Sequence, residues 1–95
     1  MLDQFHVPQD VAVYVDPDDM RSTVEDIFMA LGMSKGHARQ SSDVLLYADI
    51  HGIDTHGVSN MLRVYVQQIR DGKINVDPNW TITRDAPAVC TIDSD

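Results

Sequence analysis

Three stretches of this chain carry apolar residues at helical spacing, and each runs into a glycine: Gly32, Gly52 and Gly72. That arrangement predicts three successive helices, because glycine supplies the backbone reversal at which helices stop. The first stretch is the sharpest. Asp16-Pro17-Asp18-Asp19 joins a capping carboxylate to a proline suited to the first helical position, with two acids at the positive end of the helix dipole. Met20, Val24, Ile27, Phe28 and Leu31 form its apolar side, and Gly32 ends it. Ser34 can cap a second helix running to about His51, with Ala38, Ser41, Leu45 and Ala48 as its inner stripe and Val44 and Leu46 flanking. A third is expected from Asp54 or Thr55, either able to cap, with Val58, Met61, Leu62, Tyr65 and Ile69 as its apolar set.

The flanks read differently. Val11, Val13 and Val15 alternate with Ala12 and Tyr14, the pattern of a short strand. After a loop around Pro78, the runs WTITRD and AVCTID alternate as two more strands, joined by a turn at Asp85-Ala86-Pro87. The expected class is therefore α+β: an N-terminal strand, three helices, then the first strands of a sheet. Ninety-five residues are one small domain with a modest core. The chain ends on Asp93-Ser94-Asp95 with no closing element, so the expectation is a piece of a larger fold.

Composition narrows the partners. Fifteen acidic against seven basic residues give a net charge of −8, a poor surface for nucleic acid, which needs clustered Lys and Arg. Cys90 stands alone, which rules out an intrachain disulfide, and within APAVCTID it reads as a small buried hydrophobe. No apolar run reaches membrane-spanning length, and the N-terminus lacks the basic and apolar tracts of a signal peptide. No membrane partner is expected, and the expected location is the cytoplasm.

The chemistry concentrates in ADIHGIDTHGVSNMLRVY, residues 48–65, which holds His51 and His56. Asp49, His51, Asp54 and His56 offer enough ligands for a metal, but the two histidines straddle an expected helix break rather than sharing one helical face. No metal is expected. A second reading is a polar turn in which Asp54 or Thr55 caps and the histidines lie at the surface. A third is a catalytic site. At about 100° per residue, His56, Asn60, Arg63 and Gln67 fall on one polar stripe opposite the apolar set. An acid/base imidazole, an amide, a guanidinium and a helix N-terminus would together suit a small carboxylic acid.

The same residues resemble the signature of the malate/L-lactate dehydrogenase family, NAD(P)-dependent 2-hydroxy-acid oxidoreductases distinct from the Rossmann lactate dehydrogenases. VAVYVDPDDMRSTVEDIFMALGMS resembles the family's opening strand and first helix, IRDGKINVDPNW a later Arg-x-Gly-x-Ile-Asn-x-x-Pro segment, and APAVCTID the strand after it. The resemblance implies a proton-transfer role for His56, an orienting role for Thr55, a small 2-hydroxy or 2-oxo acid as substrate, NAD or NADP as cofactor, and a homodimer when intact. Met61, Tyr65 and Ile69 are then available either to the fold or to that interface.

Two positions depart from the family pattern. Asn60 stands where many members have an arginine that grips the substrate carboxylate, and His51 replaces the arginine before the first glycine. Arg63, within the same stripe, is the candidate to replace the missing grip, with Asn60 beside it; His51 reads as structural or rim. Family chains are several times longer, and this one has no Gly-x-Gly-x-x-Gly turn. The resemblance thus implies that residues 1–95 are the N-terminal helical part of a dehydrogenase, ending before the nucleotide-binding portion and inactive alone. The rival expectation is a small acidic helical module that binds a protein partner and performs no catalysis.

Overall fold

The computed structural model describes residues 8–95. Helix α1 spans Pro17–Ala30, α2 Lys35–Ile50 and α3 Arg63–Arg70, followed by strands β1 (Thr81–Ala86) and β2 (Val89–Asp93). The start of α1 is built as its sequence dictates: the Asp16 carboxylate accepts from the backbone N–H of Asp18 at 2.8 Å and of Asp19 at 3.3 Å. Asp16→Ala removes the one oxygen that accepts both bonds and is expected to cost about 1 kcal/mol, read as a lowered urea midpoint at unchanged slope. Ser34 caps α2 in the same way through His37 N–H.

All three helices close on one device. At the end of α1, Met33 N–H donates to Phe28 O and Gly32 N–H to Met29 O, the paired bonds of a Schellman turn. Ile53 and Gly52 repeat it on Ala48 and Asp49, and Lys73 and Gly72 on Gln68 and Ile69. Gly32 takes φ +101° there, a conformation strained for any residue with a Cβ.

The core is small: Val24 and Phe28 of α1 against Ala38, Leu45 and Leu46 of α2, with Met20, Met33, Val58, Met61, Leu62, Tyr65 and Ile69 packed around them. Met61, Tyr65 and Ile69 thus serve the fold. The buried face of α2 differs slightly from the expected stripe. Ser42, not Ser41, is fully buried, because its hydroxyl donates to Ala38 O at 2.7 Å and needs no solvent. Val44 turns outward. An Arg21–Asp43 ion pair at 2.8 Å ties α1 to α2 outside this core.

Four expectations are corrected. Residues 11–15 form no strand: the alternation is there, but among the described residues the only paired strands are β1 and β2, and Val13 is 86 % exposed. A strand requires a neighbour for its backbone groups. The third helix is not continuous from Asp54: Asp54–His56 is a single 3₁₀ turn, Gly57 is extended, and Val58–Leu62 forms a π turn before α3. The hairpin turn is Pro87-Ala88 rather than Asp85-Ala86-Pro87, since Asp85 and Ala86 still pair with Cys90 and Val89. Proline then sits at the second turn position, where its fixed φ belongs. Finally, Cys90 is exposed rather than buried, because the hairpin presents nearly its whole length to solvent. Within that hairpin Thr83 forms a bulge between the Ile82–Ile92 and Arg84–Thr91 pairs.

Candidate active site

The site begins where α2 ends. The Schellman turn at Gly52, with φ +74°, reverses the chain after His51 and delivers it into the 3₁₀ turn that carries Thr55 and His56. His56 N–H donates to Ile53 O at 3.1 Å, which seats the turn on the reversal. The Thr55 hydroxyl oxygen lies 2.7 Å from His56 Nδ1. This contact engages one ring nitrogen and leaves Nε2 as the nitrogen available to a bound molecule.

His56 is exposed yet lines a cavity of about 460 Å³ with Phe28, Met33, Leu45, Tyr65 and Ile69. An imidazole at the edge of an apolar hollow, with its second nitrogen held by a hydroxyl, is an arrangement for moving one proton. It differs from the expected polar stripe. Past the break at Gly57 and the π turn, His56 shares the cavity with Tyr65 and Ile69 of the apolar set. Neither Asn60 nor Arg63 is among the residues lining this cavity. Asn60 is half-buried, and its amide donates to Thr55 O at 2.7 Å, fixing the residue that in turn holds the ring. Arg63 is exposed at the start of α3 and makes no ion pair among the described residues.

His51 is not among the residues lining this cavity. Its Nδ1–H donates to Tyr47 O at 2.8 Å and its ring stacks on Tyr47 with centroids 4.0 Å apart. Among the described residues no group of three or more His, Cys, Asp or Glu side chains is placed to hold a metal ion.

Two residues were not legible as part of the site. Asp49, in the last turn of α2, sends its carboxylate across nine residues to accept from Val58 N–H at 2.9 Å. Gly57 is buried against that same carboxylate, and a Cβ there would coincide with it. A signal exists in the sequence. A carboxylate in a helix's last turn opposes its own helix dipole, so its presence there points to a partner elsewhere.

This arrangement of helices and turn has counterparts. A family model for malate/L-lactate dehydrogenase matches residues 15–95. The chain belongs to the malate/L-lactate dehydrogenase family. Among its relatives, a malate dehydrogenase of Pyrococcus abyssi is 35% identical over 83 residues, covering 87% of this chain and 23% of that protein. A malate/(S)-sulfolactate dehydrogenase of Methanothermus fervidus is 33% identical over 82% of this chain and 23% of its own length. The structure of a malate dehydrogenase from Pyrococcus horikoshii superposes with a TM-score of 0.81 at 29% identity, covering 94% of this chain and 25% of that one. A malate dehydrogenase from Entamoeba histolytica gives 0.77 at 29% identity over 86% and 23%. The chain therefore spans about a quarter of the length of these members of the family.

Proposed function

We propose that this chain forms the proton-transferring wall of a dehydrogenase that interconverts small 2-hydroxy and 2-oxo acids, of the malate or lactate kind. The Thr55–His56 contact, with His56 lining the cavity, is the observation that carries the reading. In the oxidation direction, C2 of the hydroxy acid gives up a hydride while its hydroxyl gives up a proton. His56 Nε2 takes that proton, and Thr55 keeps the ring turned so that Nε2 faces the reacting oxygen.

The residues described do not fit a dinucleotide. The lining of the cavity includes no lysine or arginine to hold a diphosphate, and the sequence has no glycine-rich phosphate turn. NAD or NADP, the proposed hydride acceptor, is accordingly assigned to no residue of this chain, and the 95 residues by themselves do not turn over substrate. The same reading makes the intact enzyme a cytoplasmic homodimer. Among the described residues no helix is long and apolar enough to cross a membrane.

Arg63, exposed and without an ion pair among the described residues, one helical turn beyond Asn60, is the proposed grip on the substrate carboxylate. Asn60 supports it with the amide hydrogen not committed to Thr55. Arg63→Ala in the active enzyme is expected to raise KM for the 2-oxo acid by roughly tenfold or more, the scale of a lost charge-assisted hydrogen bond, with a smaller change in kcat. An unchanged KM would remove Arg63 from the site.

A further inference from the structure

Three features of the 48–60 segment converge on one side chain that the proton-transfer reading leaves unused. The Asp49 carboxylate accepts from Val58 N–H at 2.9 Å, satisfying a donor at the start of the π turn that the local backbone leaves open. The same carboxylate occupies the space where a side chain on Gly57 would stand, so residue 57 can approach it only as glycine. Gly57 is covalently the next residue after His56 and is buried, whereas His56 itself is exposed. The imidazole is thus anchored from behind by Asp49 through Gly57 and Val58, and from the side by the Asn60 amide on Thr55 O.

We infer that Asp49 is a positioning residue for His56: its carboxylate fixes the Gly57–Val58 junction and thereby sets where the imidazole stands relative to Thr55 and the cavity. This rests on the proton-transfer reading for its catalytic consequence but not for its structural one. An exposed ring on a short 3₁₀ turn has few contacts of its own, so its placement depends on what holds the adjacent backbone. The Cβ collision makes the interaction two-sided. Asp49→Ala leaves Val58 N–H unsatisfied and opens a void beside Gly57. Gly57→Ala pushes the carboxylate off its donor. The double variant places one methyl in the space the carboxylate left.

The test is NMR on the purified protein, reading the Val58 amide proton and the ring nitrogens of His56 in wild type, Asp49→Ala, Asp49→Asn, Gly57→Ala and the Asp49→Ala/Gly57→Ala double variant. Asp49→Ala and Gly57→Ala are each expected to shift the Val58 amide proton and to move the His56 ring nitrogens toward those of a free imidazole. The double variant should be no worse than the worse single, the non-additivity of two changes at one junction. Asp49→Asn retains an acceptor oxygen and should stay close to wild type. Should Asp49→Ala fail to fold, Gly57→Ala and Asp49→Asn still decide. In the active enzyme Asp49→Ala should lower kcat about tenfold or more, the scale of a misplaced catalytic group, with KM nearly unchanged. His56 ring signals identical to wild type in both single variants would overturn the inference, as would strictly additive effects in the double. A His56→Gln enzyme that keeps its turnover would instead overturn the proton-transfer reading, leaving the ring displacement by Asp49→Ala intact.

Discussion

In the intact enzyme, His56→Gln is expected to lower kcat for oxidation of the hydroxy acid by roughly 10²- to 10⁴-fold, the range for removing a positioned acid/base group. Glutamine keeps much of the shape and hydrogen-bonding capacity of the ring but cannot take a proton from a hydroxyl. Binding of the acid should change little, because the carboxylate is assigned to Arg63 and Asn60 and not to the imidazole. The variant should also fold normally, since His56 is exposed and contributes nothing to the buried core. The check is a pair of steady-state curves with a thermal melt on the same samples. A kcat within a few-fold of wild type would mean that the proton leaves by another route. Thr55→Val should follow the same direction more weakly, because it removes only the group held 2.7 Å from Nδ1.

The second large effect falls on the fold. Phe28 is 2 % exposed and stands at the junction of α1, α2 and the Met33–Tyr65 layer around them. Phe28→Ala is expected to destabilise the protein by about 3–5 kcal/mol. Among the described residues the contiguous core cluster has five buried members, so little surrounding structure is available to collapse into the void. Small domains have total stabilities of about 5–15 kcal/mol, so this one change removes much of the margin. Phe28 also lines the cavity at His56, so the loss should reach the site as well. A urea titration followed by near-ultraviolet circular dichroism reads the effect, and a loss below about 1 kcal/mol would mean that the α1–α2 contact is not the principal core.

The parts of this molecule that a reader of the sequence can foresee are those whose causes are local. The start of α1 depends on Asp16 and Pro17, which lie beside the backbone groups they serve. The stops at Gly32, Gly52 and Gly72 depend on one residue each. The Thr55–His56 contact joins neighbours in the chain. What escapes is set at a distance. Residues 11–15 have the alternation of a strand but no partner among the described residues. The chain after Asp54 is not one helix: the π turn that precedes α3 starts at Val58, whose N–H is taken by the Asp49 carboxylate, nine residues back in another helix. That displaced start carries the polar stripe with it. His56, expected beside Asn60 and Arg63, instead shares a cavity with Tyr65 and Ile69. Ser42 is buried in place of Ser41 because an internal hydrogen bond to Ala38 O outweighs the polarity of a hydroxyl. Cys90 is small and apolar enough for a core, but neither strand of its hairpin is covered.

The acidic surface and the exposed residues of α2, Val44 and Tyr47 among them, are compatible with a protein-binding module, the rival expectation from the sequence. The two accounts part on whether a hydroxy acid is oxidised. The decisive measurement is nicotinamide reduction by the intact enzyme purified from its source, supplied in turn with malate, lactate and sulfolactate, and with a secondary alcohol that lacks a carboxylate. The account predicts reduction of NAD or NADP with at least one of the acids and none with the plain alcohol. Reduction with none of the acids, in a protein shown to be folded, would contradict it.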